Sequence, residues 1–423
     1  MSGGSLPSAI LRGTTAAAIL LALSGCAGVA GGNARLDTVE ASGDGALRIG
    51  LIQDNAGERS FLNDAQRAAA EVAVKDINAA GGHKGKPVEL LIGTGEDTGT
   101  QARNLLEAKA DVVIGPTDSS HAAAAIDVLS GARTPLISPA NSAAALSTYK
   151  SGGYYFRTAA ADVAQGSVLV KLAKAGGAKN IAVVHQDSTY GKDVSAAVAA
   201  AATAAGLESV STPAFKPGAA HQAAAAARDA KPDAVVLIAR EDAQGALAEL
   251  HNAGLAGAKI ILSDGAFAQY GSGLGSKALD GARAVVPGVL VSAAFQARLL
   301  EVNPALKDLS FAAEAYDAVN LAALAAAAAD DDAGRSIAAN LITVSGGTGG
   351  GQNTGQPGKA CLTYADCLAV VKTGAKINYD GESGPIAFDS HGDITTANFM
   401  VFTYGADNRA VLTGREAAGR AAG

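Results

Sequence analysis

The chain of 423 residues carries a formal net charge of −7, 4% aromatic residues and no tryptophan. That charge repels a polyanionic partner, and with few rings for bases to stack on, a nucleic-acid role is excluded. The length suffices for two domains, each with its own core.

The N-terminus comes first. Residues 1–25 hold a single charge, Arg12, then an apolar run at 16–23 and small residues up to Cys26. A positive flank, a short apolar stretch and small residues before a cut site read as a secretory signal. The run is too short to span a membrane. Leu23-Ser24-Gly25 before Cys26 resembles the bacterial lipobox, whose cysteine is acylated before cleavage; the alternative is an ordinary signal followed by a chance cysteine. Residues 26–45 are small, Gly-rich and polar, as in a flexible tether.

The body opens with an apolar strand at 47–52, a loop at 53–60 and a helix at 61–79. That helix places Ala65, Ala69, Val72, Ala73 and Ile77 on one face, with Gly81-Gly82 as its stop. A strand at 88–93 and a helix at 101–110 follow. The next stretch, DVVIGPTDSSHAAAAIDVLSGARTPLISPA from 111, reads as strand, loop, helix, strand, the unit of a parallel α/β sheet. Ligands in such sheets sit beyond the carboxyl ends of the strands. There Thr117, Asp118, Ser119 and Ser120 offer hydroxyls and free backbone N–H groups to a carboxylate or phosphate, or simply cap the helix that follows.

A second α/β set follows, with strands at 180–185, 209–211, 234–239 and 259–262 and helices at 162–175, 192–205, 220–230 and 243–252. Two halves of similar size suggest two lobes and a cleft between them. A strand at 282–286 leads to Pro287-Gly288, where the chain is expected to cross back. Helices are expected at 293–301 and 311–329. The second ends in Asp330-Asp331-Asp332, acidic residues that suit a helix C-terminus poorly. Residues 345–359 are Gly-rich and read as a mobile surface loop. Cys361 and Cys367, in an exported chain, are read as a disulfide closing a small loop. Zinc is the alternative, but the six histidines are scattered without ligand spacing. A closing set at 379–388 and a strand at 399–404 complete the chain. No metal or cofactor is expected.

The segments LRIGLI at 47, AVKDINAAGG at 73, DVVIGP at 111, PLISPA at 135 and YYFRTA at 154 with Gln165-Gly166 recur in a familiar order. IAVVHQDSTYGKD at 181, DAVVLIA at 233, YDAVNLAALAAA at 316 and YDGESGPIAFDSHGD at 379 continue it. Together they resemble the type I periplasmic solute-binding proteins of ABC importers, in particular the branched-chain amino-acid binding family. The resemblance implies two doubly wound α/β lobes joined by a three-crossing hinge, 46–158 with 288–388 forming lobe 1 and 159–287 with 389–415 forming lobe 2. It implies a ligand carboxylate held by Ser119, with Ser120 beside it, and by the loop bearing Asn141 and Ser142. It places Tyr190 over the ligand and Asp264 on its ammonium. The plainer alternatives are packing within its own lobe for Tyr190 and a turn or cap role for Asp264.

Two stretches depart from the family pattern. The loop at 53–60 lacks the small Ser-Gly loop of many relatives, and Arg240-Glu241-Asp242 stand where relatives of aliphatic specificity place an aromatic. Either these charges pair at the rim or the ligand is polar or acidic. His121 either faces the cleft or is solvated in its helix's first turn. The function implied is that of an extracytoplasmic lipoprotein, anchored to the membrane, that hands a small metabolite, an amino acid first, to an ABC permease. The alternatives are a ligand-sensing receptor on the same fold and a binder of a polar or acidic solute that is not an amino acid. An enzyme is not expected: the sequence holds no G-x-G-x-x-G after a strand, no Walker loop, no G-x-S-x-G and no paired histidine ligands.

Overall fold

The structure, a computed structural model, describes residues 1, 3–4, 39–55, 60–347 and 358–419. Cys26 and nearly all of the expected signal and tether lie outside the described residues.

The first half runs β1 (Arg48–Leu51), α1 (Asn63–Ala79), β2 (Glu89–Ile92), α2 (Thr98–Glu107), β3 (Val112–Ile114), α3 (Ser119–Gly131), β4 (Leu136–Ser138) and β5 (Tyr155–Arg157). Its five strands pair in the order β2-β1-β3-β4-β5, all parallel. Strands β3, β4 and β5 are buried at every position, which is why they read as short unbroken apolar runs: helices cover both faces. At the turn out of β3, Gly115 has φ +106°, and a Cβ there would meet the Ile52 carbonyl at 2.3 Å. Only glycine lets the ends of β3 and β1 approach so closely.

The second half runs α4 (Gln165–Ala175), β6 (Asn180–Gln186), α5 (Thr189–Ala204), β7 (Glu208–Ser211), β8 (Ala214–Phe215), α6 (His221–Asp229), β9 (Ala234–Ile238), α7 (Ala243–Asn252), β10 (Ile260–Leu262) and β11 (Arg283–Pro287). The chain then returns through α8 (Ala293–Val302), α9 (Ala312–Ala329), α10 (Gly334–Val344), β12 (Lys359–Cys361), α11 (Tyr364–Val371), β13 (Ile377–Gly381) and β14 (Gly384–Pro385). It closes with β15 (Thr396–Tyr404) and β16 (Ala410–Gly419). The second sheet has the order β16-β15-β11-β10-β9-β6-β7, with β15 antiparallel to both of its neighbours. Helix α9 is buried from Ala312 to Ala326. It packs with α1 and α10 in the core of the first half, so it shows no amphipathic stripe.

Several expectations change. Asp331 and Asp332 do not burden a helix end; they fasten the chain's start. The Asp331 carboxylate accepts from the N–H of Gly43 at 2.9 Å, and Asp332 from the N–H of Gly45 at 2.9 Å. The expected tether therefore stops short of Ser42. The expected surface loop at 345–359 begins inside the protein: Ser345 is fully buried, and its Oγ accepts from the Phe388 N–H at 2.9 Å. Residues 348–357 lie outside the described residues. Residues 389–393, assigned from sequence to the second lobe, lie against β5 of the first sheet, with the Arg157 N–H donating to the Gly392 carbonyl at 2.9 Å. Helices α10 and α11 and strand β16 were not anticipated. The Cys361 and Cys367 sulfurs lie 2.02 Å apart, at the end of β12 and within α11.

Candidate functional site

Each sheet has a point where the strand order reverses, and loops leaving the two flanking strands open a crevice there. In the first sheet it lies between β1 and β3. The expected anion site, the loop after β3, does sit at this crevice, but the N–H groups of Thr117, Asp118 and Ser120 are already taken. The Asp54 carboxylate, from the loop after β1, accepts from the N–H groups of Thr117 at 3.0 Å and Asp118 at 2.8 Å. It also meets His121 Nδ1 at 2.7 Å, and its side chain is 0% exposed.

The expected site residues of this lobe surround that plug. Ser119 Oγ accepts from the N–H groups of Ser142 at 3.1 Å and Ala143 at 3.3 Å. Ser120 Oγ donates to Asp118 at 2.8 Å. The Asn141 side chain donates to the carbonyls of Pro116 and Thr117 and accepts from the Tyr155 hydroxyl.

The second sheet reverses between β6 and β9. There a neutral side chain fills the crevice: Gln186 Oε1 accepts from the N–H groups of Arg240 at 2.9 Å and Glu241 at 3.0 Å. The three expected residues of this lobe form one cluster. The Tyr190 hydroxyl donates to Asp264 Oδ1 at 2.5 Å, and Gln165 Nε2 donates to the same oxygen at 2.7 Å. The Arg240 guanidinium stacks over the Tyr190 ring at 4.0 Å and reaches both oxygens of Asp162 at 3.0 and 3.1 Å. Burial opposes the Arg240 charge, but Asp162 and Asp264 outweigh it and hold its pKa above the usual value. Burial first, and then the Asp264 charge, keeps the Tyr190 hydroxyl protonated well beyond the usual phenol range. Arg240 thus pairs with Asp162, not with its sequence neighbours.

Asp264 also faces a cavity of about 620 Å³ between the halves. Phe61 and Leu62 bound it on one side, Phe267 on the other, with Val286–Val291 and Phe311 along the base. Among the described residues, Asp264, Asp308 and Glu314 are its ionisable lining, and no Lys, Arg or His lines it. Of the seven ligand-binding residues expected from sequence, only Asp264 reaches this cavity.

Glu314 was not anticipated. It is 7% exposed, in the first turn of α9. The chain crossings at Thr158 and Gly288, and the segment Ile394–Thr396, meet around it. Burial raises its pKa to about 7, against a bond to its own backbone. The folded value lies above the ordinary one, so the folded chain binds this proton more tightly than the unfolded chain. Its contribution to stability is complete below about pH 4.5 and disappears as the pH rises through about 7. Glu314→Gln is therefore expected to flatten the fall in unfolding free energy between these limits, as read from urea titrations at several pH values. An unchanged pH slope would remove Glu314 as its source.

The model of the family described as "Periplasmic binding protein" matches residues 46–359. The chain belongs to this family. Among curated relatives, this periplasmic binding protein is 30% identical over 179 residues to a Leu/Ile/Val-binding protein homolog 3 of Brucella melitensis biotype 1, covering 41% of this chain and 48% of that one. The chain thus spans about half the length of the curated relatives it matches. Among solved structures, the branched-chain amino acid substrate-binding protein LivJ of Streptococcus pneumoniae, in complex with isoleucine, superposes with a TM-score of 0.59 at 22% identity, covering 89% of this chain and all of that one. A solute-binding protein of Rhodopseudomonas palustris BisB5, in complex with 3,4-dihydroxybenzoic acid, does so with a TM-score of 0.59 at 19% identity, over 89% and 99% of the two chains. These likenesses establish the shared two-lobed α/β fold of this periplasmic binding protein. Among its described residues, no helix is long and apolar enough to cross a membrane, and no cluster of three His, Cys, Asp or Glu side chains is placed to hold a metal.

Proposed function

We propose that this chain is the extracytoplasmic substrate-binding component of an ABC importer and not an enzyme. It captures a small metabolite, an amino acid first among the candidates, between its two lobes and presents the closed form to a membrane permease. The observation that carries this reading is the Tyr190–Gln165–Asp264 cluster at the edge of an interlobe cavity. A carboxylate oriented by two donors and facing an apolar space is built to take a cationic group. Ser119, Ser120, Asn141, Ser142 and Arg240 stand outside this cavity and in this reading would meet the ligand only once the cleft closes. The moving bodies are 46–158 with 288–393 and 159–287 with 394–415. Closure is favoured only by as much as the ligand binds the closed form more tightly than the open one.

In this reading Cys26 carries the lipid anchor, and Cys361 and Cys367 form the disulfide of an exported protein. A second reading, a polar or acidic solute, is supported by the neighbour of the same fold solved in complex with 3,4-dihydroxybenzoic acid. A receptor role would leave the same cleft in place.

Native mass spectrometry of the gently purified full chain tests the proposal. The expected spectrum contains an adduct of a small metabolite that disappears under denaturing spray. A chain that neither carries such an adduct nor is stabilised by any metabolite added to it would contradict the reading. Mass spectrometry of the exported N-terminus tests the anchor, with a lipid-modified Cys26 as the expected species and an unmodified one as the contrary result.

A further inference from the structure

The switch-point crevice of the first lobe is where a ligand carboxylate would be received, and this chain supplies its own. Asp54 satisfies the N–H groups of Thr117 and Asp118, is fully buried, and is held from a third side by His121. Asp118, which binds the N–H and Oγ of Ser120, places a second carboxylate on the same loop. A ligand carboxylate arriving here would meet like charges, with the N–H groups of Thr117, Asp118 and Ser120 already taken. Across the cleft, the ionisable groups among the cavity's described lining residues are all carboxylates. Glu314 is more than nine-tenths buried, and among the described residues its side chain has no partner beyond its own backbone. Asp264 has one oxygen committed to Tyr190 and Gln165. Apolar walls surround these groups, with Phe61 61% and Leu290 52% exposed, ready to be covered on closure.

We propose that the ligand is an organic amine with an apolar body and no carboxylate, its ammonium taken by Asp264 and Glu314 while Asp54 occupies the carboxylate's place. This rests on the solute-binding reading and puts an amine in place of the amino acid as its first candidate. Arg240 does not offset the selection, because Asp162 neutralises it and it does not line the cavity.

Isothermal calorimetry on the full chain tests this with matched probes on two apolar bodies. The probes are 3-methylbutylamine, leucinamide, leucine and 4-methylpentanoate, with 2-phenylethylamine, phenylalaninamide, phenylalanine and 3-phenylpropionate beside them. The expected order places the amine and the amide ahead of the amino acid by on the order of tenfold or more, as befits a carboxylate buried without a partner, with the plain acids inert. In Asp54→Asn, which removes the internal charge at constant shape, the amino acid should gain on its amine. Should that variant fail to fold, the wild-type order decides alone. An amino acid or acid that binds as tightly as its amine overturns the proposal and leaves solute binding intact. Silence from all eight probes also overturns it, and the co-purified adduct then decides separately whether the chain binds a solute at all.

Discussion

Replacing Arg157 with alanine is expected to destabilise the protein by about 3–5 kcal/mol, the cost of stranding a buried carboxylate. Arg157 ends β5 and is 0% exposed. Its Nε and Nη2 donate to the two oxygens of Asp393 at 2.7 and 3.1 Å. Nη1 reaches the Ala143 carbonyl at 2.9 Å, and Nη2 also reaches Ser147 Oγ at 2.7 Å. The pair fastens the start of the first crossing to the start of the third, so its loss loosens the hinge as well as the core. Arg157→Met together with Asp393→Leu should cost much less than Arg157→Ala, because no charge is then left unpaired. Urea denaturation reads both variants. A single variant as stable as wild type, or a double variant worse than the single one, would show that the pair does not hold the hinge.

Replacing Asp264 with asparagine is expected to weaken ligand binding by about 2–5 kcal/mol, the range found when one partner of a buried, hydrogen-bonded charge pair is removed. Asparagine keeps the shape and one acceptor for Tyr190 and Gln165, so the ligand-free protein should melt close to wild type. That combination separates a binding residue from a structural one. A lower melting point with unchanged affinity would assign Asp264 to the packing of its own lobe.

The sheets were legible because parallel strands buried on both faces leave unbroken apolar runs, as in Val112–Ile114 and Ala234–Ile238. Strand β16 was not legible. Its sequence AVLTGREAAG has no alternation to mark a buried face, and it is a strand because β15 pairs with it. Helix α9 was legible as a helix, but its alanine-rich surface gave no hint that it is buried all round. Local pattern was equally silent on Asp331 and Asp332, whose partners lie nearly three hundred residues earlier in the chain.

The site divides in the same way. Tyr190 and Asp264, 74 residues apart, were found through motif resemblance and do meet. Asp54 lay in a loop recognised only as unusual. Its role depends on β1 and β3 being neighbours with reversed winding, and single-sequence periodicity does not contain that fact. Glu314 was hidden for a related reason: three crossings converge on it from distant stretches of the chain.

In the proposed function a small solute binds between the lobes against Asp264. A thermal-shift panel of amino acids, amines, small peptides, sugars, nucleosides and aromatic acids, run in parallel on the wild-type chain and on Asp264→Asn, tests it most directly. Ligand at a hundred times its dissociation constant adds roughly 2.7 kcal/mol to the stability of a one-site binder, a readable shift. At least one compound is expected to raise the wild-type midpoint and to lose most of that effect in Asp264→Asn. A compound that stabilises both proteins equally would place the solute elsewhere and contradict it.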